Sequence, residues 1–594
     1  MYKILLSILL FSTVALAHEE KPSYYDDDGN LVVTLHIHGL RTASDQQHKT
    51  YSYDVVNPEN LNESTSLNIV TSGPKNQLSS TFTRGTDSDH TLITLNGIGI
   101  KDRSTTGGTD DIGQHGTLGT CAIEIIKGPM GTVYGAEAIG GVINMKTCAS
   151  DENSISLDYG SHNTWNKTIK LGTFLEEHKT ILDFRIEDET SDGISVYPQG
   201  AEKDPYDNRS YFLNTETTLD NGYTLGTIFI DKQNDSSLDN GGSDHLAYTS
   251  EWNFKNQQIN YFDKNTHFTF NNSDHKRSYL KSGDTDLYES NVKTFHVDNT
   301  KSVNDNLSFT SGFDHEITDV NFNTNIGSYV PSVNKKSHLH GYSGTIDYLI
   351  NDTFLTYGIR YDDQSRFGSF TNHRYGFEHN GIRGSISTGH KAPTIYEMYG
   401  TSGYGFSGNE NAKPEESKSY EIGYKKHFKE TNLKSIDIAI FQIDIENLLD
   451  YQDNTIKNIS GTSTRHGAEM GLTYDINNFI IKNNTSWIVS EGSNGTSLTR
   501  KPKWINNTSI YTEYKGYNLT SNINYYGEHL DVDSVTFATI PKSEVTTVDF
   551  GVSKYIGDYL IYSKLNNAFD EDYERPDGYN QDGRNFNFGI KKSF

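Results

Sequence analysis

Long apolar runs are missing from this sequence. After residue 17 nothing approaches the ~18 consecutive apolar residues of a membrane-spanning helix, which excludes a helical membrane protein. Hydrophobic residues are 34% of the 594 and mean hydropathy is −0.66, too low for a series of large soluble cores. Basic charge is short too: 51 Lys and Arg stand against 78 Asp and Glu, a formal net charge of −27. Phosphate neutralisation needs clustered Lys and Arg, so nucleic acid is not the expected partner. Proline numbers only 12, and disorder is excluded by the 38 Tyr and 28 Phe, because disordered chains are poor in aromatics. What is present is a polar chain rich in Tyr and Gly. That composition fits a transmembrane β-barrel, where apolar outward residues alternate with polar inward ones and the average hydropathy cancels.

Cysteine is almost absent. Cys121 and Cys148 are the two in the chain; in an oxidising periplasm they are free to pair, or they stand as two buried thiols. No His or Cys lies at ligand spacing between them, which argues against a metal site.

The first 17 residues carry Lys3, an apolar stretch and a small-x-small end at Ala15, Leu16 and Ala17, as expected of a secretory signal peptide. Residues 18–49 read as an acidic, polar leader interrupted by the short β-prone segment LVVTL, residues 31–35. From 50 to 149 short strands separated by Gly-rich turns predict a compact domain. From 150 to 594 the texture becomes segments of about ten residues with period-2 alternation. In TFLTYGIRY, Leu355, Tyr357, Ile359 and Tyr361 alternate with Thr356, Gly358 and Arg360; in SIDIAI, Ile436, Ile438 and Ile440 alternate with Asp437 and Ala439. At roughly ten residues per membrane strand and a similar length per connection, this portion supplies about 22 strands, a cylinder wide enough to need a plug. The chain ends in RNFNFGIKKSF, with Phe586, Phe588, Ile590 and Phe594 in one phase. The fold class expected is therefore an all-β transmembrane barrel of about 22 antiparallel strands, stoppered by an N-terminal domain.

IEIIKGPMGTVYGAEAIGGVINMKT (123–147) and QLSSTFTRGTDSDHTLITLNGIGI (77–100) resemble the plug signature of TonB-dependent outer-membrane receptors. Gly128, Gly135, Gly140 and Gly141 suit tight turns and close backbone approach, while Ile123, Ile125, Val142 and Ile143 suit a strand interior. Downstream, YDDQSRFGSFTNHRYGFE (361–378), residues 387–424 around GHKAPTIYEMYG, residues 445–470, and the DYE…GYN..GR pattern at 572–584 look like the cobalamin-transporter (BtuB-type) branch of that family. The resemblance implies an α+β plug inside the lumen, location in the outer membrane of a Gram-negative bacterium, active import of a corrinoid and coupling to TonB with its inner-membrane energising complex. A periplasmic binding protein would receive the ligand, lipid and lipopolysaccharide would surround the barrel, and the receptor would be a monomer.

Within that resemblance, Leu31, Val32, Val33, Thr34 and Leu35 look like the TonB box, an extended segment that would add as a strand to a sheet edge of its partner. His36 and His38 flank it and offer no third metal ligand. Family ligand contacts come from plug apices and outer loops. Those map here to Ser72, Lys75 and Asn76, to Lys101, Asp102, Arg103 and Ser104, and to Tyr399, Tyr404 and Phe406, whose rings could pack on a flat macrocycle. No cofactor is expected except structural calcium. DPYDNRSY (204–211) resembles the acidic loop of the cobalamin branch, with Asp207 present but Arg209 where a second Asp is expected; Asp231, Asp235 and Asp239 have ligand-type spacing and could compensate.

No catalytic constellation emerges, so an enzyme is not expected. The alternative within the class is a ferric-siderophore receptor. Haem uptake is less favoured, since no His lies between Pro393 and Asn411 and His390 precedes the motif. From another class, a passive porin would have no use for a folded plug, and a barrel adhesin none for LVVTL.

Overall fold

The computed structural model describes residues 49–58, 60–239, 243–245, 247–281, 283–323, 332–402 and 405–594. The signal peptide, the leader with the segment Leu31–Leu35, and Tyr404 lie outside the described residues.

The N-terminal domain is built on a five-stranded sheet of β1 (Tyr53–Val56), β4 (Thr91–Leu95), β5 (Ile98–Gly99), β6 (Thr120–Lys127) and β7 (Gly141–Thr147), in the order β1-β6-β7-β4-β5. A separate hairpin joins β2 (Leu67–Thr71) to β3 (Ser79–Thr83). β4 runs parallel to β7 and the other pairs are antiparallel. Ile123, Ile125, Val142 and Ile143 are all 1% exposed or less. Ile93, Ile125 and Ile143 pack in one cluster with Phe212, Trp252 and Phe254 of the barrel wall, so the plug's apolar core continues into the cylinder. Gly128 has φ +82°, and a Cβ on Gly141 would lie 2.4 Å from the Ile126 carbonyl oxygen, so both positions require glycine. Cys121 and Cys148 form a disulfide across the ends of β6 and β7.

After Thr147 the chain enters the first wall strand, β8 (Ser154–Gly160). Twenty-two antiparallel strands form a closed barrel, sealed by pairing of the last strand, Asn585–Ser593, with β8. The alternation read from sequence is the alternation of its two faces. Leu355, Ile359 and Tyr361 point outward and are exposed, whereas Arg360 faces the lumen and is buried; Ile440 is exposed beside buried Ala439. On the closing strand Phe586, Phe588 and Ile590 face outward, and Lys592, which breaks their phase, lays its ammonium over the Tyr559 ring. Lipid replaces a second hydrophobic layer for these residues, which is why so polar a chain folds as sheet. Connections on one rim are tight, such as 351–352, 477–478 and 515–516; those on the other are long, such as 192–205, 392–414 and 567–584. The long-loop rim is the extracellular one.

Candidate ligand vestibule

The plug reaches the extracellular half of the lumen with two apices. The first is the β2–β3 turn, residues 72–78. Its Asn76 is buried and exchanges hydrogen bonds with Asn208 on the wall, the Asn208 Nδ2 donating to Asn76 Oδ1 at 2.8 Å. Lys75 Nζ meets Glu189 at 2.5 Å while its stem stays exposed. Ser72 is half-buried and its N–H donates to Leu78 O.

The second apex, residues 101–111, is clamped more tightly. Asp102 accepts from the Ser104 N–H at 2.8 Å, from Ser104 Oγ at 2.6 Å and from Ser290 Oγ at 3.0 Å, and its other oxygen meets Arg277 Nε at 2.7 Å. Burial alone would raise its pKa; Arg277, His275 and the Ser104 donors outweigh that and hold the carboxyl well below its usual range. Arg103 is shared between Glu137 and Glu316, and Lys101 Nζ stands 3.5 Å from Glu137. Lys101, Asp102 and Ser104 are thus buried supports; Thr106 and Gly107 are exposed at the tip.

A cleft of about 100 Å³ opens between this apex, the turn 365–367 and residues 392–395. The lysine of the KAPT sequence anchors its far side: Lys391 is fully buried and reaches Asp89 on the plug at 2.8 Å. Thr394 then caps the short helix Ile395–Tyr399, its hydroxyl accepting from the Glu397 N–H at 3.0 Å and Glu397 returning a bond to the Thr394 N–H. That helix presents Tyr396 to an aromatic ledge. Tyr396 stacks on Phe406 with centroids 5.3 Å apart and planes at 4°; Phe406 continues to Tyr451, which is more than half exposed, and Tyr288 and Phe322 back the ledge from the wall. Tyr399 packs against the same cluster and lies beneath the ammonium of Lys335 and the guanidinium of Arg366.

The four candidate calcium ligands do not converge. Asp207 and Asp235 are register partners on the outward face of two wall strands, and Asp231, on the same face, pairs with Lys255 at 3.3 Å. Period-2 geometry explains this: Asp231 and Asp235 share the phase of outward-facing Leu225 and Phe229. Asp239, beyond the strand end, joins Glu202 and Asp244 instead, with carboxylate oxygens all within 4.8 Å of one another. Asp239 accepts from the Tyr197 and His245 N–H groups at 2.9 and 2.7 Å. Burial, then hydrogen bonding with Asp244 and the charge of Asp239, pushes Glu202 up to about 7; burial and Asp239 push Asp204 up to about 6. Three carboxylate oxygens drawn from two loops suit a hard divalent cation.

Comparison with known proteins identifies the scaffold. A family model described as TonB dependent receptor-like, beta-barrel, matches residues 151–569, and one described as TonB-dependent Receptor Plug Domain matches residues 57–142. The chain belongs to the TonB-dependent receptor family. It is a protein of the Gram-negative outer membrane, a receptor for a large ligand rather than an enzyme by kinship. Its relatives include the vitamin B12 transporters BtuB of Vibrio cholerae, 25% identical over 90% of this chain and 89% of theirs, and of Vibrio vulnificus, 26% identical over 87% of each. Among solved structures, the siderophore receptor PirA from Acinetobacter baumannii has a TM-score of 0.75 at 14% identity, covering 91% of this chain and 98% of its own. A mutant of the ferric enterobactin receptor PfeA from Pseudomonas aeruginosa gives 0.75 at 16%, covering 93% and 99%. At those identities the structures speak to the fold alone.

Tyr396, Tyr451, Glu202 and Asp244 escape the sequence reading. The Thr394–Glu397 capping box was the available signal for a helix at 395; nothing local marks Glu202 and Asp244 as a pair.

Proposed function

We propose that this receptor imports a corrinoid, energised through TonB acting on the segment Leu31–Leu35. The observation that carries the reading is the chemistry of the vestibule: an aromatic ledge of half-buried Phe406 and exposed Tyr451, stacked on buried Tyr396, beside plug apices whose cations are already neutralised. Lys75, Lys101, Arg103 and Arg277 each meet a carboxylate. A neutral macrocycle bearing amide arms stacks on rings and hydrogen-bonds to the Thr105–Thr106 tip without breaking those pairs. Kinship with B12 transporters along most of the chain supports the same class.

Energy coupling follows from affinity. A ligand held at about nanomolar Kd is bound by roughly −12 kcal/mol, and with an association rate of about 10⁶ M⁻¹s⁻¹ it leaves about once in a thousand seconds. Spontaneous passage through a lumen filled by the plug is therefore useless, and pulling on an N-terminal strand would supply the work.

Calcium belongs to the same proposal. Glu202, Asp239 and Asp244 would hold it, tying loop 192–205 to Asp239 and Asp244 beyond the end of the strand Thr224–Ser237. Asp207, Asp231 and Asp235 have no part in this site.

A ferric siderophore is the second reading, favoured by Lys335 and Arg366 on either side of Tyr399, two cations in no carboxylate pair among the described residues. Binding of cyanocobalamin and of a ferric catecholate to the purified chain, with and without calcium, separates the two. Nanomolar corrinoid binding that weakens in Tyr451→Ala supports the proposal; nanomolar binding of the iron chelate alone overturns it.

A further inference from the structure

On the outer wall, three histidines gather on two neighbouring strands, with His338 at the edge of the vestibule cleft. His315 lies on strand Leu307–Asn323 and His338 and His340 on strand Ser332–Ile350. His315 and His340 are register partners, and the next strand places Asp363 opposite His340. The row His315–His340–Asp363 sits two residues toward the extracellular rim from the row Phe313–Tyr342–Tyr361, whose exposed tyrosines form the aromatic girdle. It therefore stands at headgroup level on the extracellular side, where water and ions reach it. The imidazoles are close: Nδ1 of His315 is 3.2 Å from Nδ1 of His340, and the His338 ring stands 6.4 Å from that of His315 at 12°.

We propose that His315 and His340, joined after side-chain rotation by His338 or Asp363, bind a first-row divalent transition cation such as Zn²⁺ or Cu²⁺. Two imidazole nitrogens on one tetrahedral ion, each ~2.0–2.1 Å from it, stand about 3.3 Å apart, close to the separation found here. Imidazole with one carboxylate selects borderline metals over calcium or magnesium. Without metal, one proton must be shared between the two facing nitrogens; the cation replaces it, after rotation of the rings about χ2 on their open side. The site faces outward, so its occupant is not transported cargo. It would staple adjacent strands at the rim of the barrel.

The test is Cu²⁺ titration of the full, detergent-purified chain, read by calorimetry and by the nitrogen hyperfine pattern in electron paramagnetic resonance. One equivalent should bind with imidazole coordination, and millimolar calcium should not displace it. His315→Ala and His340→Ala should each weaken it by more than the ~10–100-fold cost of losing an outer-shell partner, with His338→Ala intermediate. His36→Ala/His38→Ala, in the leader, should leave it unchanged. Heat-modifiable migration on gels confirms that each variant barrel is closed. Undiminished binding in the His315→Ala/His340→Ala variant, loss in the leader variant, or no wild-type site with nitrogen coordination overturns the proposal.

Discussion

The seam between plug and wall and the loops above it treat charge in opposite ways. In the seam, Arg84 is completely buried; its Nε and Nη2 donate to Glu469 at 2.7 and 3.0 Å and its Nη1 to Glu421 at 2.7 Å, with the guanidinium 4.3 Å over the Phe441 ring. Lys127 adds a second cation, 2.8 Å from Asp54 and 3.7 Å from Glu469. In the loops, Glu202, Asp239 and Asp244 face one another, and no cation pairs with them among the described residues. Paired charge makes a seam that holds until it is pulled. Unpaired like charge makes loops that depend on what the medium supplies.

Breaking the seam should give the largest effect. Arg84→Ala leaves Glu421 with Arg383 at 3.4 Å and Glu469 with Lys127 at 3.7 Å as their remaining cations, and removing one partner of a buried pair costs about 3–5 kcal/mol. Hydrogen exchange should show plug strands β1 and β6 losing protection by that margin while the wall strands keep theirs. Unchanged plug protection would mean the seam is held instead by the packing of Ile93, Ile125 and Ile143 on Phe212, Trp252 and Phe254 of the wall. The disulfide comes next. Reducing Cys121–Cys148, or Cys121→Ser, releases a loop of 27 residues, worth about 3.5 kcal/mol by chain entropy. The loss should appear at the ends of β6 and β7 and leave calcium dependence untouched.

The loops sharpen the contrast through pH. Glu202 titrates at about 7, above its ordinary value of 4.5. A carboxyl so raised favours the ordered loop fully at low pH, and that contribution is lost as pH rises through about 7. Without calcium, loop 192–205 should be cut faster by protease at pH 8 than at pH 6. Calcium binds the charged form, so its affinity should fall about tenfold per pH unit below 7. Calorimetry showing a flat affinity between pH 6 and 8 would remove Glu202 from the site.

Sequence alternation alone foretells the barrel, because Leu355, Ile359 and Tyr361 announce one oily face strand by strand. The site is legible only in outline. Lys101, Asp102 and Arg103 stand out as charged apex residues, but what they do depends on Arg277 and Glu316, 175 and 213 residues away. No local pattern shows that these groups are spent on clamping the plug. Asp231 and Asp235 mislead for a different reason. Their spacing suits a loop of calcium ligands, yet they continue a strand whose phase Phe229 already sets, so they face out of the barrel.

Asp231 also supplies the smallest expected effect, which tests burial itself as the variable. Its pair with Lys255, at 3.3 Å, has the same chemistry as the Lys127–Asp54 contact, but Lys255 is 56% exposed where Lys127 is 3%. Water and salt screen the exposed pair, and such pairs contribute about 0–1 kcal/mol. Lys255→Ala should therefore leave barrel stability within that range, with any change vanishing at high ionic strength, while Lys127→Ala should lower plug protection severalfold more at every salt concentration. Equal losses from the two variants would show that position in the lumen adds nothing to an ion pair here, and that the plug is retained by shape and apolar contact.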